Sequence, residues 1–447
     1  MNYKAFPQID KLINQQEFTN YPKYLVKHLA RSLINELKQS KKQNITHDLI
    51  TNELLKRLEN TKNQDILPLI NATGVVLHTN LGRSLIDEDI YEKCKDIICS
   101  YTNLEFDLEN GKRGNRYDIV CKNIAMLFGC EDALVVNNNA AAVFLILNTF
   151  SKNKYSITSR RELVEIGGSF RVNEVMESSG AKLYEVGTSN KTNIKDYEKA
   201  LKTLENEEKI IIKTHKSNFY QEGFVDEVDA ISLCKFCKQN NVKFYYDLGG
   251  GSVDRLKGYK EEPSIKELVD AGVNLLSFSG DKLFASVQSG IILGSKKDID
   301  ELKSNQILRM LRVSKIEIAM LNESVKKYLQ GQSPISLQMI NNDAKTIEKK
   351  AIKTFSMLNK HSQSFVKISP TTTLAGAGST PKAKFDSFAF EFCSFDVFTL
   401  QNEFRGQKVI GKIINKKFYL DFKSIKDNEC EKLANITNDI IDKLSNK

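Results

Sequence analysis

Short apolar runs, each closing on a polar residue and followed by an amphipathic stretch, recur from about residue 116 to residue 294 of this chain. The runs at Asp132 to Asn137, Tyr155 to Thr158, Lys182 to Val186, Lys209 to Lys213, Lys243 to Asp247, Asn274 to Ser279 and Gly290 to Gly294 have the length and composition of strands. Asn139 to Thr149 and Asp226 to Asn240 read as helices between them. Repeated strand–helix units leave few architectures open. The expected one is an α/β domain with a doubly wound, mainly parallel sheet and helices on both faces. Ligands of such sheets bind beyond the carboxyl ends of the strands. Candidate chemistry is therefore sought in the polar residues that close the runs, and Asp247 and Lys282 stand out.

The alternation stops near residue 310. Helical stretches at Ser314 to Gln330 and Ala344 to Asn359 precede strand-like runs at Phe385 to Phe392 and Lys417 to Phe422, which predicts a small C-terminal α+β domain over 311–447. Residues 66–310 form the predicted large domain with its N-terminal linker. Residues 1–65 read as a separate helical domain. Pro22 opens a helix to about Lys38, with Val26, Leu29, Ala30, Leu33 and Leu37 as its apolar stripe. Lys23, Lys27 and Arg31 fall at i, i+4, i+8 on another face, and Lys38, Lys41 and Lys42 extend the basic run. A solvated helix face and a nucleic-acid surface both fit that stripe. Thr46 is placed to cap a following helix over Asp48 to Leu58.

A formal charge of +9 over 447 residues permits a nucleic-acid partner without requiring one. The eight cysteines show no disulfide framework, and Cys234 and Cys237 lie on a helical face without the second Cys/His pair that a zinc site needs, so no metal is expected. No run approaches the length of a membrane span and no signal segment opens the chain, which predicts a cytoplasmic protein without a membrane partner.

A strand-end lysine preceded by a strand-end aspartate is what a pyridoxal phosphate enzyme of fold type I (aspartate aminotransferase-like) needs. The Lys282 amine condenses with the cofactor aldehyde, and Asp247 keeps the pyridine nitrogen protonated so that the ring accepts electrons. Asn137-Asn-Asn-Ala-Ala-Ala-Val143 supplies a helix start with small residues, where bare amides hold an anion. Asn138, Asn139 and Ala140 are thus candidate phosphate ligands, although an ordinary Asn-capped helix reads the same way. Ser279 can add a hydroxyl to that phosphate. The S-x-x-K spelling it makes with Lys282 lacks the S-D-N and K-T-G partners of penicillin-binding proteins. His215 and Ser217, with Asn218, follow another strand end and can face the cofactor ring. Glu165 and Arg171 flank Gly167-Gly168, which reads as a tight loop over the site or as a local ion pair. Ala375-Gly-Ala-Gly-Ser379 is a plain turn.

Ile70 to Arg83, Tyr101 to Gly114, Val136 to Val143, Glu162 to Arg171 and Ser277 to Lys282 are long blocks that together resemble the bacterial L-seryl-tRNA(Sec) selenium transferase (selenocysteine synthase) family. The resemblance spans nearly the whole chain. It implies conversion of L-seryl-tRNA(Sec) to L-selenocysteyl-tRNA(Sec) through a cofactor-bound dehydroalanyl intermediate. The neutral Lys282 amine would take the α-proton. It further implies selenophosphate as donor, held by Arg83, Arg309 and Arg312, the last two at a spacing that a helix would place on one face. It implies tRNA binding by the N-terminal domain, with Lys23, Lys27 and Arg31 on the contacting face, and a homo-oligomeric ring of dimers (a decamer) with shared active sites. Asp281 either assists proton transfer or shapes the turn.

Two departures stand out. The family usually follows the lysine with paired glycines and Pro-Gln-Ala-Gly, where this chain has Phe284-Ala-Ser-Val-Gln-Ser-Gly290. Arg161 stands where a glycine is usual. Two other functions share some of these features. A fold type I lyase or transaminase acting on a free amino acid or amino sugar shares the Lys/Asp pair and gives residues 1–65 no role. A non-catalytic RNA-binding protein on the same fold would carry no bound cofactor.

Overall fold

The computed structural model describes residues 7–40, 45–62, 66–166, 170–216, 221–257, 263–376 and 383–446. The chain divides into two compact units, Met1–Pro68 and Leu69–Lys447.

The first unit is helical. Helix α1 (Lys23–Gln39) begins after Pro22, and α2 (His47–Lys62) follows Thr46, whose Oγ1 accepts the Leu49 amide at 3.3 Å. The predicted stripe faces inward. Val26, Ala30, Leu33 and Leu37 are buried with Ile50, Leu54 and Leu58 of α2 and with Leu12 and Phe18, and Leu29 packs against them partly buried. Lys23 and Arg31 are exposed, and Lys27 reaches Asp10 at 3.4 Å. Lys41 and Lys42 lie outside the described residues. The two helices are joined across their exposed side by Arg57 and Glu36 at 2.7 Å, a contact that holds the Glu36 carboxyl down at about 2.

The second unit is built on two sheets. Strands β1 (Asp132–Val136), β2 (Tyr155–Ser159), β3 (Lys182–Val186), β4 (Lys209–Thr214), β5 (Lys243–Gly249), β6 (Leu275–Ser279) and β7 (Gly290–Gly294) lie in the order β1-β7-β6-β5-β4-β2-β3. All run parallel except β7, which is antiparallel to both β6 and β1. The link 280–289 is too short for the crossover that a parallel neighbour requires, so β7 must return antiparallel. Ile210 to Ile212, Phe244 to Tyr246 and Ile291 to Leu293 are all buried, as expected of strands covered on both faces. Each fully buried large side chain contributes roughly 1.5–3 kcal/mol. Helix α3 (Asn139–Phe150) leaves the end of β1, and α4 (Lys315–Leu329) packs on the helices Glu88–Cys99 and Asp118–Phe128.

The second sheet contains β8 (Val366–Thr373), β9 (Phe385–Phe392), β10 (Lys412–Ile414) and β11 (Lys417–Asp421), antiparallel in the order β8-β9-β11-β10. It has its own core, which includes Phe390, Phe404, Phe418, Phe422, Leu433 and Ile441. The segment after residue 69 is strapped to it. Ile70 and Asn71 pair in parallel with Val409 and Ile410, and Thr73 bridges Asp421. Asp421 is fully buried and accepts Ser387 Oγ at 2.5 Å, Lys412 Nζ at 2.6 Å and the Lys423 amide at 3.0 Å. Gly74 crosses directly over that carboxylate with φ +84°, and a Cβ there would fall 2.5 Å from Asp421 Cγ. The strap then runs on to Arg83.

Lys423 makes one stability expectation specific. Its ammonium sits in this interior, donating to the Asn342 carbonyl at 2.8 Å, and burial pushes it down to about 8 although Asp421 opposes the shift. The unfolded chain, with a lysine near 10.4, binds more protons between those values. Stability is therefore expected to rise with pH from about 8 toward 10.5. Lys423→Met should flatten that rise in thermal melts taken across the range.

Candidate active site

The carboxyl ends of the parallel strands and the amino end of β7 meet along one edge of the large sheet. Register places Asp247 beside Thr214 on one side and Ser277 on the other, while Gly290 lies opposite both Ser279 and Val136. Asp247, Ser279, His215, Lys282 and the start of α3 all belong to this edge, as the sequence predicts.

Asp247 is 6% exposed. Its backbone carbonyl accepts the His215 amide at 2.8 Å, and its Oδ1 accepts Asn139 Nδ2 at 2.8 Å and the Gly249 amide at 3.1 Å. Burial raises the carboxyl above the ordinary range; Asn139, Gly249, Lys282 and His215 act against the shift. Lys282 lies in the turn after β6. That turn is closed by Gly280 N–H to Ser289 O (2.9 Å), Ser286 N–H to Gly280 O (2.8 Å) and Ala285 N–H to Lys282 O (2.8 Å). A Cβ at Gly280 would fall 2.2 Å from Ser289 Oγ, and one at Gly290 would fall 2.2 Å from Asn138 O, so both glycines are needed for these approaches. Burial lowers the Lys282 ammonium below its ordinary value. Asp247 and Asp281 resist that shift, and Arg83 adds to it. The shift is toward the neutral amine.

Packing accommodates the departures after the lysine. Ala285 holds φ +55°, a region that glycine occupies without penalty and that costs alanine about 1 kcal/mol. Its methyl is buried in a cluster with Leu77, Leu283 and Leu337. The Ser286 hydroxyl donates to Ser324 Oγ of α4 at 2.8 Å, so this loop is tied to a helix by a side chain that glycine lacks. Arg161 is buried. Its Nε donates to Gln221 Oε1 at 3.0 Å and its Nη1 to the Asp226 carbonyl.

At the start of α3, Asn138 caps the helix by accepting the Ala141 amide at 2.9 Å. The Asn139 and Ala140 amides have no acceptor among the described residues, and Ala140 is exposed while Asn139 is part-buried. The Asn139 side chain turns to Asp247, which leaves its backbone amide as its group for an anion. Ser217 and Asn218 lie outside the described residues, as do Gly167, Gly168 and Ala377 to Ser379. Glu165 and Arg171 form the local ion pair, at 2.9 Å and half exposed.

Arg83 arrives on the strap with φ +64° and pairs with the buried Asp281 at 2.6 Å, while the Ser84 hydroxyl donates to Ser286 O at 2.6 Å. Arg309 and Arg312 do not share a helix. A 3-10 turn over Gln306–Arg309 ends at Arg309, and Arg312 lies in the extended stretch before the Ser314 cap. The predicted common face is corrected accordingly: the turn that Asn305 caps stops at Arg309, and Ser314 caps a new helix only beyond Arg312. Both arginines are exposed, and Arg312 pairs with Glu105 at 2.6 Å. Lys23, Lys27 and Arg31 belong to the first unit.

One pair escaped sequence reasoning. Lys213 at the end of β4 donates to Glu162 Oε1 at 2.7 Å, and the other Glu162 oxygen accepts the Thr214 amide at 3.1 Å. Both side chains are buried. A charged residue closing an apolar strand run was the available signal. Cys234 and Cys237 are buried, and burial pushes the Cys237 thiol up to about 12, as suits inert core thiols. Among the described residues no His/Cys/Asp/Glu group can hold a metal, and no helix is long and apolar enough to cross a membrane.

The hydrogen-bonding capacity left over at this edge fits pyridoxal phosphate. Among the described residues, both donors to the Asp247 carboxylate converge on Oδ1, and Asn139 Oδ1 is buried without a donor, which leaves acceptors for a protonated ring nitrogen. A desolvated amine and two unused helix-start amides match an aldehyde and a phosphate.

Comparison with known proteins follows the same line. A family model described as L-seryl-tRNA selenium transferase matches residues 69–426. An L-seryl-tRNA(Sec) selenium transferase of Campylobacter jejuni subsp. jejuni is 49% identical over 441 residues, 98% of each chain. One from Aliarcobacter butzleri is 43% identical over 453 residues, again 98% of each. Among solved structures, D-glucosaminate-6-phosphate ammonia-lyase superposes with a TM-score of 0.62 over 87% of this chain and 99% of its own, at 15% identity, a likeness of fold.

Proposed function

The chain belongs to the L-seryl-tRNA selenium transferase family, and we propose on that premise that it converts L-seryl-tRNA(Sec) to L-selenocysteyl-tRNA(Sec), with pyridoxal phosphate as cofactor and selenophosphate as selenium donor. The observation that carries the assignment of roles is the part-buried Lys282 in the turn after β6, whose amine is desolvated and feels the carboxylates of both Asp247 and Asp281.

When bound, pyridoxal phosphate supplies an aldehyde carbon for the Lys282 amine and a ring that accepts electrons. Asp247 holds the ring-nitrogen proton. Lys282 Nζ, favoured as the free amine by burial, takes the proton from the seryl α-carbon. The helix-start amides of Asn139 and Ala140 and the Ser279 hydroxyl are proposed to bind the cofactor phosphate. His215, adjacent to Asp247, would lie against the cofactor ring, and Ser217 is proposed with it. Asp281 orients Arg83 through their ion pair. Arg83, Arg309 and Arg312 are proposed to hold the anionic donor, whose oxygens suit guanidinium forks. Lys23, Lys27 and Arg31 in residues 1–65 are proposed to bind tRNA phosphates. A homo-oligomer built from dimers, a decameric ring, is the proposed assembly.

The test is a reaction of the purified protein, supplied with cofactor, with seryl-tRNA(Sec) and selenophosphate. Selenocysteyl-tRNA(Sec) is the expected product. Deamination of free serine or an amino sugar, with the charged tRNA left untouched, would replace this reading with that of a lyase.

A further inference from the structure

We propose that Asn139 is a positioning residue for Asp247: its carboxamide N–H fixes Oδ1, so that Oδ2 is the oxygen presented to the cofactor's ring nitrogen. This rests on the reading of Asp247 as the ring partner and adds a residue to it. Asn139 Nδ2 and the Gly249 amide both donate to Oδ1, at 2.8 and 3.1 Å, and no described residue donates to Oδ2. The backbone of Asp247 is pinned separately, by the His215 amide on its carbonyl and by pairing with Thr214 and Ser277. With main chain and one carboxylate oxygen fixed, the rotation of the carboxylate is set and the second oxygen is aimed.

The orientation of Asn139 is itself determined. Its Nδ2 must face the carboxylate, because an amide oxygen there would repel it. The buried Asn139 Oδ1, which has no donor, then lies on the same side chain as a second acceptor. The contact joins the first residue of α3 to the end of β5, so the helix that offers amides to the phosphate also braces the group at the far side of the ring. One side chain thereby sets the spacing between the two cofactor anchors. Its donor also favours the ionised carboxylate against the burial that opposes it.

The test uses the cofactor-loaded enzyme and the pH titration of its visible absorption band, together with pyridoxal phosphate affinity measured by fluorescence. An ionised partner at the ring nitrogen keeps positive charge on the ring, which drives the proton off the nitrogen linking cofactor and lysine. Loss of one donor to that partner should let the linking nitrogen hold its proton to higher pH. Asn139→Ala is expected to raise the midpoint by about one pH unit and weaken cofactor affinity about tenfold, the scale of one hydrogen bond to a charged group. Asn139→Ser, too short to reach the carboxylate but compatible with a helix start, should give the same shift and covers the case in which the alanine variant fails to fold. Asp247→Asn should move both readouts further. A wild-type midpoint and affinity in a folded Asn139 variant, with Asp247→Asn affected, overturns the role of Asn139 alone. Wild-type values in Asp247→Asn remove the reading on which it rests.

Discussion

Lys282→Ala is expected to abolish selenocysteyl-tRNA formation, by roughly 10⁴-fold or more, since the substitution removes both the covalent anchor and the proton acceptor. Lys282→Arg makes the stricter comparison. A guanidinium stays charged at any accessible pH and forms no link with an aldehyde, so it should be as inactive as alanine although it supplies a permanent positive charge to Asp247 and Asp281. Both variants should fold. The turn around position 282 is closed by backbone hydrogen bonds from Gly280, Ala285 and Ser286, none of which uses the lysine side chain. Unchanged circular dichroism together with lost turnover and a lost visible cofactor band is the expected pattern. Residual turnover within tenfold of wild type would place the chemistry on another residue.

The largest stability loss is expected at Glu162, distant in sequence from every cofactor contact. Glu162→Ala leaves the buried Lys213 ammonium without its counter-charge and the Thr214 amide without its acceptor. Removing one partner of a buried pair costs about 3–5 kcal/mol, much of it the penalty of the stranded charge. Replacing both members by Glu162→Leu and Lys213→Met should cost less than Glu162→Ala alone, because no buried charge then remains. Thermal melts of the two singles and the double test the coupling. Since Thr214 immediately precedes His215, whose amide holds Asp247, the single variant should also loosen cofactor binding. A Glu162→Ala melting temperature equal to wild type would show that the pair does not brace the strand end.

Much of this site was legible because it sits where local pattern and topology agree. Apolar runs of strand length that end in Asp247 and Lys282 announce both the sheet and its reactive edge, since parallel strands gather their carboxyl ends on one side. The Asn138 cap was likewise readable, being a contact of three residues' separation. The reversal of β7 follows from the short link 280–289, a topological constraint that the composition of the strands does not carry. What escaped depends on contacts distant along the chain. Asn139 meets Asp247 across 108 residues and Glu162 meets Lys213 across 51, and no periodicity reports such pairs. Arg309 and Arg312 show the opposite failure. Their i, i+3 spacing suits a helix, but the turn holding Arg309 ends there and the next helix starts at the Ser314 cap, after Arg312. The Ala285-Ser286 replacement of paired glycines is accommodated by a buried methyl at positive φ and a hydroxyl bond to Ser324, neither visible without the packing.

The tether itself can be read out in one step. Borohydride reduction of the freshly loaded enzyme, followed by peptide mapping, should leave the pyridoxyl group on Lys282 alone. A label on Lys213, the buried lysine near the end of β4, or on no lysine at all, would contradict the account.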